Sequence, residues 1–451
     1  MKRILASLIV TVVALLAILV ACILHFKSPD QLMTPPNQYG ENAEIAQVFE
    51  QDVGNSSTVT LKYPSSGDYK TAYVKHDLDG DGLEEVITFY TLKDADTTVR
   101  FHIMKYQDEE WTSACDEAGY GSEVDSVSFA DFNNDGNDEL VLSWNLYGNS
   151  STKVLTVHDL SASGDALKLK TLVNQSYSYM NILDMDRDGT QEVLVVWTDS
   201  SVSPSRTYAD LLKMSSKGSM KTVGSNVLLD GNVSGYAGML VQETGDNTIV
   251  FLDAYKGDTA MVTEIIWWDA DGERLVAPFT DRATLTNQTT LRSPAIRCTD
   301  LDGDGIIDIP TSDQNSIANA ISGSNDNRVY LTTWSNYTSV NSRSLTANMY
   351  GFVDEQNSFM FRVPAGTNYS RIAYRNAKTG VMTVYSSNNG TTTISPLFSL
   401  VPGTVNNLPE EDQYSFLVNG EKLSVYGTLT SAAKDAGYTD ESVEKNIIIF
   451  D

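Results

Sequence analysis

The chain has 451 residues, with 31 basic against 59 acidic side chains and a net charge of −28. That excess repels nucleic acid and anionic headgroups and suits a solvated extracytoplasmic surface, and the length accommodates two domains with sizeable cores. The four histidines form no His-Glu-x-x-His arrangement, and the chain has no Gly-x-Ser-x-Gly elbow, phosphate-cradling glycine loop or Cys-His constellation, so no catalytic residue is nominated.

The N-terminus, 1–26, reads as an export segment: Met1-Lys2-Arg3 is positive and 4–24 is almost wholly apolar. Leu19-Val20-Ala21-Cys22 fits a bacterial lipobox, in which Cys22 is lipidated and becomes the mature N-terminus. The rival reading is an uncleaved anchor, because 4–24 is long enough to span a bilayer. Either route tethers the remainder to the outer face of the membrane. Residues 27–64 begin as a polar spacer with Pro29, Pro35 and Pro36. A short amphipathic helix follows over 41–52, with Ile45, Val48 and Phe49 on one face.

From residue 65 to 348 the chain repeats. Four acidic loops each place oxygen donors at positions 1, 3, 5 and 9, glycine at 6 and a backbone carbonyl at 7. The first has Asp77, Asp79, Asp81, Leu83 and Glu85, and the second Asp131, Asn133, Asp135, Asn137 and Glu139. The third has Asp184, Asp186, Asp188, Thr190 and Glu192, and the fourth Asp300, Asp302, Asp304, Ile306 and Asp308. A hard ion such as Ca²⁺ takes six to eight oxygens, and this spacing converges them on one centre. These are not EF-hands: position 12 is Thr88, Leu142, Val195 or Thr311, never Glu, and strand-like runs follow. Asp-Gly and Asn-Gly are also ordinary hairpin turns, but a shared ligand order in four loops argues against coincidence. Asp269-Ala-Asp271-Gly272-Glu273 lacks the acid at position 9 and reads as a plain turn.

The loops begin 54, 53 and 116 residues apart, the last interval being two periods. A decayed copy near 242 keeps strand, turn and strand over 240–251 without the ligand order. Repeats of this length, rich in short strands, build four-stranded blades that bury both faces, which explains continuously apolar runs such as Val193-Leu194-Val195-Val196. Trp144 and Trp197 occupy equivalent places and are expected to pack between blades. Thr58–Tyr63 supplies either a closing outer strand or part of a further blade.

The loops resemble those of FG-GAP or VCBS-type repeats, found in integrin α-chain propellers and bacterial surface proteins. The pattern Asp-x-Asp-x-Asp-Gly-x-x-[Asp/Glu] is complete in the loops at 77, 184 and 300 and carries Asn133 in the loop at 131. The resemblance implies a mainly β fold, a propeller of about five four-stranded blades stiffened by about four Ca²⁺.

Residues 349–451 lack such loops and read as a small α+β domain: a strand at 358–364, hairpins around 378–380 and Asn419-Gly420, and helices over 430–436 and 440–447. It resembles C-terminal modules of Gram-positive lipoproteins. Cys115 and Cys298 lie in different repeats, which argues against a disulfide, so calcium is the evident stabiliser. The expected function is a membrane-anchored, extracytoplasmic calcium-binding module for a protein or glycan. The alternative is a polysaccharide lyase or hydrolase working in a propeller funnel.

Overall fold

The structure, a computed structural model, describes residues 40–93, 97–146, 149–163, 166–293, 295–312, 326–329, 331–364, 371–387, 394–403 and 414–450. The export segment, Cys22 and most of the spacer lie outside the described residues; among those described, no helix is long and apolar enough to cross a membrane.

The chain is mainly β, built of antiparallel sheets in sequence order. In the first, Val59–Lys62 and Val74–His76 share one edge of Glu85–Leu92, which pairs with Arg100–Gln107 and then Glu110–Ala118. The second runs Glu123–Ala130, Glu139–Leu146, Asn149–Ser163 and Ala166–Tyr177; the third, Tyr179–Leu183, Glu192–Asp199, Arg206–Ser215 and Ser219–Leu229. The fourth, Gly235–Thr244, Asn247–Lys256, Ala260–Asp269 and Arg274–Val276, contains the decayed repeat as a tight hairpin through Gly245 at φ 59°. The run Asp269–Glu273 is likewise the turn between this sheet's last two strands. In the fifth sheet the order is Asp308–Ser312, Leu331–Asn336, Thr346–Asp354, Phe359–Arg362 and Ile447–Ile449, with a Thr299–Asp308 bridge where the other repeats have a first strand.

Alternation along the second strand of each sheet explains the stacking. Ile87 and Phe89 meet Leu140, Leu142 and Trp144, while Val141 points the other way to Val193 and Val195. Leu194 and Val196 meet Val250 and Leu252, and Ile249 and Phe251 meet Ile309. Each strand is apolar throughout because each of its faces has a neighbouring sheet. Trp144 is fully buried between the first two sheets. Trp197, its sequence equivalent, is only half-buried and donates its indole N–H to Asp210 at 2.7 Å, so the expected equivalence fails.

The helix Glu41–Asp52 forms as expected, and Ile45 and Phe49 pack on Val86, Tyr90 and Met104 of the first sheet. That is the face a preceding blade would cover. The apolar clusters join each sheet to the next, from the first to the fifth.

The sixth sheet packs its Phe398, Leu400 and Val425 on Phe352, Phe359 and Phe361 of the fifth. Both C-terminal hairpins form, as do helices Ser431–Asp435 and Asp440–Glu444, capped by Thr430 and Thr439. Strands cross residue 349 in both directions. Asp326–Val329 joins the sixth sheet and Ile447–Ile449 completes the fifth, so the repeats and the C-terminal part share their sheets. Cys115 and Cys298 are both free thiols.

His158 is buried in the second sheet, between Thr156 and Thr171 hydroxyls at 2.9 and 3.2 Å, and burial lowers its pKa from the ordinary 6.5 to about 4. The folded protein therefore holds it neutral while the unfolded chain protonates it. Its contribution is fully present above pH 6.5 and is lost as the pH falls towards 4, about 3 kcal/mol in all. Denaturant titrations of wild type and His158→Gln across this window are expected to converge as the pH falls, the wild type losing the larger share.

Candidate functional site

All four acidic loops adopt one backbone design. The position-1 carboxylate accepts the N–H of the position-6 glycine at 2.9–3.0 Å: Gly82 to Asp77, Gly136 to Asp131, Gly189 to Asp184 and Gly305 to Asp300. The position-5 carboxylate accepts the position-7 N–H at 2.8–2.9 Å, from Leu83, Asn137, Thr190 and Ile306. The position-9 carboxylate reaches back to the N–H of position 2: Leu78 to Glu85, Phe132 to Glu139, Met185 to Glu192 and Leu301 to Asp308, at 2.8–3.1 Å. Position 2 is apolar because it is driven into the space towards the next sheet, as Phe132 and Met185 show.

The tight path uses the left-handed region twice. Position 6 is glycine at φ 82–92°, and position 4, which the ligand pattern leaves open, is also left-handed at Gly80, Asn134, Arg187 and Gly303. A Cβ on Gly136 would meet nothing within 4 Å, so Gly136→Ala isolates the conformational cost. The expected loss is about 1–2 kcal/mol in a denaturant titration, from left-handed strain alone.

The loops lie along one rim of the row. His76 contacts Asp138 at 2.7 Å and stacks on Phe129, tying the first loop to the second. Thr248 donates to the Asp184 carbonyl, and Ile307 N–H donates to Gln242 at 2.8 Å, so the decayed hairpin bridges the third and fourth loops.

Carboxylate oxygens converge within 4.8 Å in three loops: Asp77, Asp79 and Glu85; Asp184, Asp186, Asp188 and Glu192; and Asp300, Asp302 and Asp304. Position 9 is buried in every loop. Burial is the largest influence on all four, raising Glu85 and Glu139 to about 7 and pushing Glu192 and Asp308 upward, with the loop's other carboxylates adding to the effect. These are groups that a neighbouring cation would hold ionised. Oδ1 of Asp79 and Asp184 and Oε1 of Glu85 are buried without a hydrogen-bond partner. All-oxygen donors, a convergent cluster and orphaned carboxylate oxygens fit a hard divalent cation, with side chains of positions 1, 3, 5 and 9 and the position-7 carbonyl as ligands.

Sequence reasoning missed what faces position 9 from the next strand. In the first repeat Lys105 contacts Asp79, reaches Asp81 at 2.8 Å and lies 3.8 Å from Glu85. In the third, Lys213 reaches Asp186, Asp188 and Glu192 at 2.6, 2.7 and 2.8 Å. Both lysines are pushed above their ordinary pKa: burial opposes this, and the hydrogen bonds to loop carboxylates outweigh it. The second repeat has Asp159 beyond His158, which pairs with Leu140, and Asp159 adds negative charge near Glu139. There Asn133 Nδ2 donates to Glu139 at 3.0 Å. In the fourth loop Asn336 and Asn348 donate to Asp308 at 2.8 and 3.0 Å. Lys105 and Lys213 follow position 1 of their loops by 28 and 29 residues, a spacing that acquires meaning only once the strands are in register.

Carboxylates outside the loops are committed elsewhere. Asp253 is buried against Arg292 at 2.8 Å and accepts the Cys298 N–H, while Asp230 pairs with Lys256 at 2.6 Å. Glu264, raised by burial to about 7, accepts the Asp230 N–H and the Thr280 hydroxyl. This network ties the fourth sheet to 280–298.

No family model matches the chain, and no curated protein matches it. Among solved structures it is similar to a protein from Lactobacillus plantarum, at 9% identity over 74% of this chain and 85% of that one, TM-score 0.22. Sqt1 of Chaetomium thermophilum is 9% identical over 84% of this chain and 97% of its own, TM-score 0.26. An endo-arabinase from Bacteroides thetaiotaomicron is 10% identical over 75% and 96%, TM-score 0.21. Likeness at this level carries no argument about function.

Proposed function

We propose that this chain is a membrane-anchored, extracytoplasmic, calcium-binding module of propeller-like blades that presents its body to a protein or glycan partner. The observation that carries the reading is the repetition: four loops share three hydrogen bonds and a buried carboxylate, and they line one rim. A repeated turn needs no such set of carboxylates, whereas a divalent cation does. The likeness of the loops to FG-GAP and VCBS-type repeats supports the same reading. Calcium bound along the rim would stiffen the junctions between loop and sheet without forming the core, which is apolar.

Calorimetric titration of the full-length protein in detergent is expected to show calcium uptake in roughly the 10⁻⁴–10⁻³ M range of extracellular modules. No uptake at millimolar calcium would overturn the calcium reading.

Anchoring rests on Leu19-Val20-Ala21-Cys22. Mass spectrometry of the membrane-extracted protein is expected to find a lipidated Cys22 N-terminus, abolished by Cys22→Ala. An intact Met1 terminus on the wild type would instead establish the apolar segment as an uncleaved anchor.

A further inference from the structure

We propose that Lys105 and Lys213 are built-in cations that occupy the metal position of the first and third loops, so that calcium regulates the second and fourth loops instead. The inference rests on the calcium reading of the loops and divides them into two classes.

The geometry is that of substitution. An ammonium offers three donors and no acceptor. Lys213 donates to two carboxylates, Asp186 and Asp188, at 2.6 and 2.7 Å, and its ammonium lies 2.8 Å from Glu192 Oε1. Those are the position-3, 5 and 9 ligands expected to face a metal ion. Lys105, itself only 8% exposed, stands in the same place against Asp79 and Asp81. Glu85, with no exposed surface, still aims an unpartnered Oε1 into this cluster, a donor atom that marks the centre as a cation position.

Register makes the lysine part of the repeat and not a surface accident. Val86 pairs with Met104 and Val193 with Leu212, so the residue after each partner, Lys105 or Lys213, falls opposite position 9. In the decayed repeat Val250 pairs with Ile266, and the corresponding pair is Ile249 with Trp267. Carboxylate and cation are absent together there. In the second and fourth repeats the carboxylate persists, but the facing residues are acidic or amide: Asp159 near Glu139, and Asn336 against Asp308. Those two loops have no cation of their own among the described residues. A divalent ion entering the first or third loop must displace an ammonium held by two or three carboxylates, whereas the second and fourth present no such barrier.

The test uses the full-length protein in detergent, with native mass spectrometry and calorimetry for calcium and thermal melting in chelator. Wild type is expected to hold about two calcium ions at millimolar concentration, and Lys105→Met and Lys213→Met each about one more. Each Met variant should melt lower than wild type in chelator and regain the loss in calcium, while Lys105→Arg, keeping the charge, should take up no additional ion. Wild type holding about four ions would overturn the inference without any variant, as would a double Met variant with unchanged stoichiometry. Absence of calcium uptake from every variant would instead remove the calcium reading. The lysine role would then be overturned if Met variants melt like wild type in chelator, and the built-in cation upheld if they melt lower.

Discussion

One buried carboxylate per repeat sets the terms for the rest of the structure. Glu85, Glu139, Glu192 and Asp308 sit where an acidic loop enters a sheet, withdrawn from solvent and accepting a backbone N–H from the far side of the loop. That hydrogen bond fastens position 2 to position 9 and turns an exposed loop into a closed ring on the sheet edge. It also brings a charge into a low-dielectric place beside other carboxylates, an arrangement that is costly unless a positive partner or donor is supplied. Everything distinctive about the rim follows from how each repeat meets that demand. Lys213 brings an ammonium to 2.8 Å from Glu192, Lys105 holds one 3.8 Å from Glu85, Asn336 and Asn348 supply amides to Asp308, and Asn133 reaches Glu139 from within its own loop.

The sheets beneath impose a different constraint. Strands such as Val193–Val196 are apolar on both faces and require a layer on each side. Five sheets in a row leave two ends, and the chain covers both from outside the repeats. The helix Glu41–Asp52 lays Ile45 and Phe49 on the first sheet. At the other end the sixth sheet covers Phe352, Phe359 and Phe361 of the fifth. Covering units of this kind are what stacked repeats need to stay soluble. The exchange of Ile447–Ile449 and Asp326–Val329 across residue 349 binds the cap to the row through backbone hydrogen bonds as well as apolar contact.

What was legible in the sequence was local. The spacing of the acidic loops, the glycine at position 6 and the amphipathic stripe of 41–52 each lie within a dozen residues and appear where the pattern places them, whereas the hairpin expected around Asn419-Gly420 turns over 420–423, with Asn419 still paired to Ser424. The left-handed position 4 lay outside the ligand pattern: Gly80, Asn134 and Gly303 favour that region by their own preference, whereas Arg187 is held there by the loop's closure. The lysines were not legible, because their partners lie across a strand pair and depend on its register. Trp144 and Trp197 show the same limit. Equivalent repeat positions differ in burial: Trp144 is enclosed beside Phe89 and Phe101 and donates to the Thr156 hydroxyl, whereas Trp197 lies against Tyr208 and donates to Asp210. Tertiary surroundings, not spacing, decided each of these.

The fourth sheet shows what the fold requires and what it does not. Its hairpin has shed the acidic loop altogether, and where the third repeat opposes Glu192 to Lys213 it opposes Ile249 to Trp267. Yet the strands still pair, the two faces still pack on the third and fifth sheets, and the sheet gains a buried Asp253–Arg292 pair of its own. Exchange of a buried ion pair for apolar residues of similar bulk is often neutral or stabilising, so the stack itself has no need of the acidic rim. A loop that carries a buried carboxylate and several more around it is costly to retain unless it does something the core does not. In the repeats with a lysine, that cost is met internally and the loop is closed regardless of its surroundings. In the second and fourth repeats it is left to donors that carry no positive charge: Asn133 for Glu139, and Asn336 and Asn348 for Asp308.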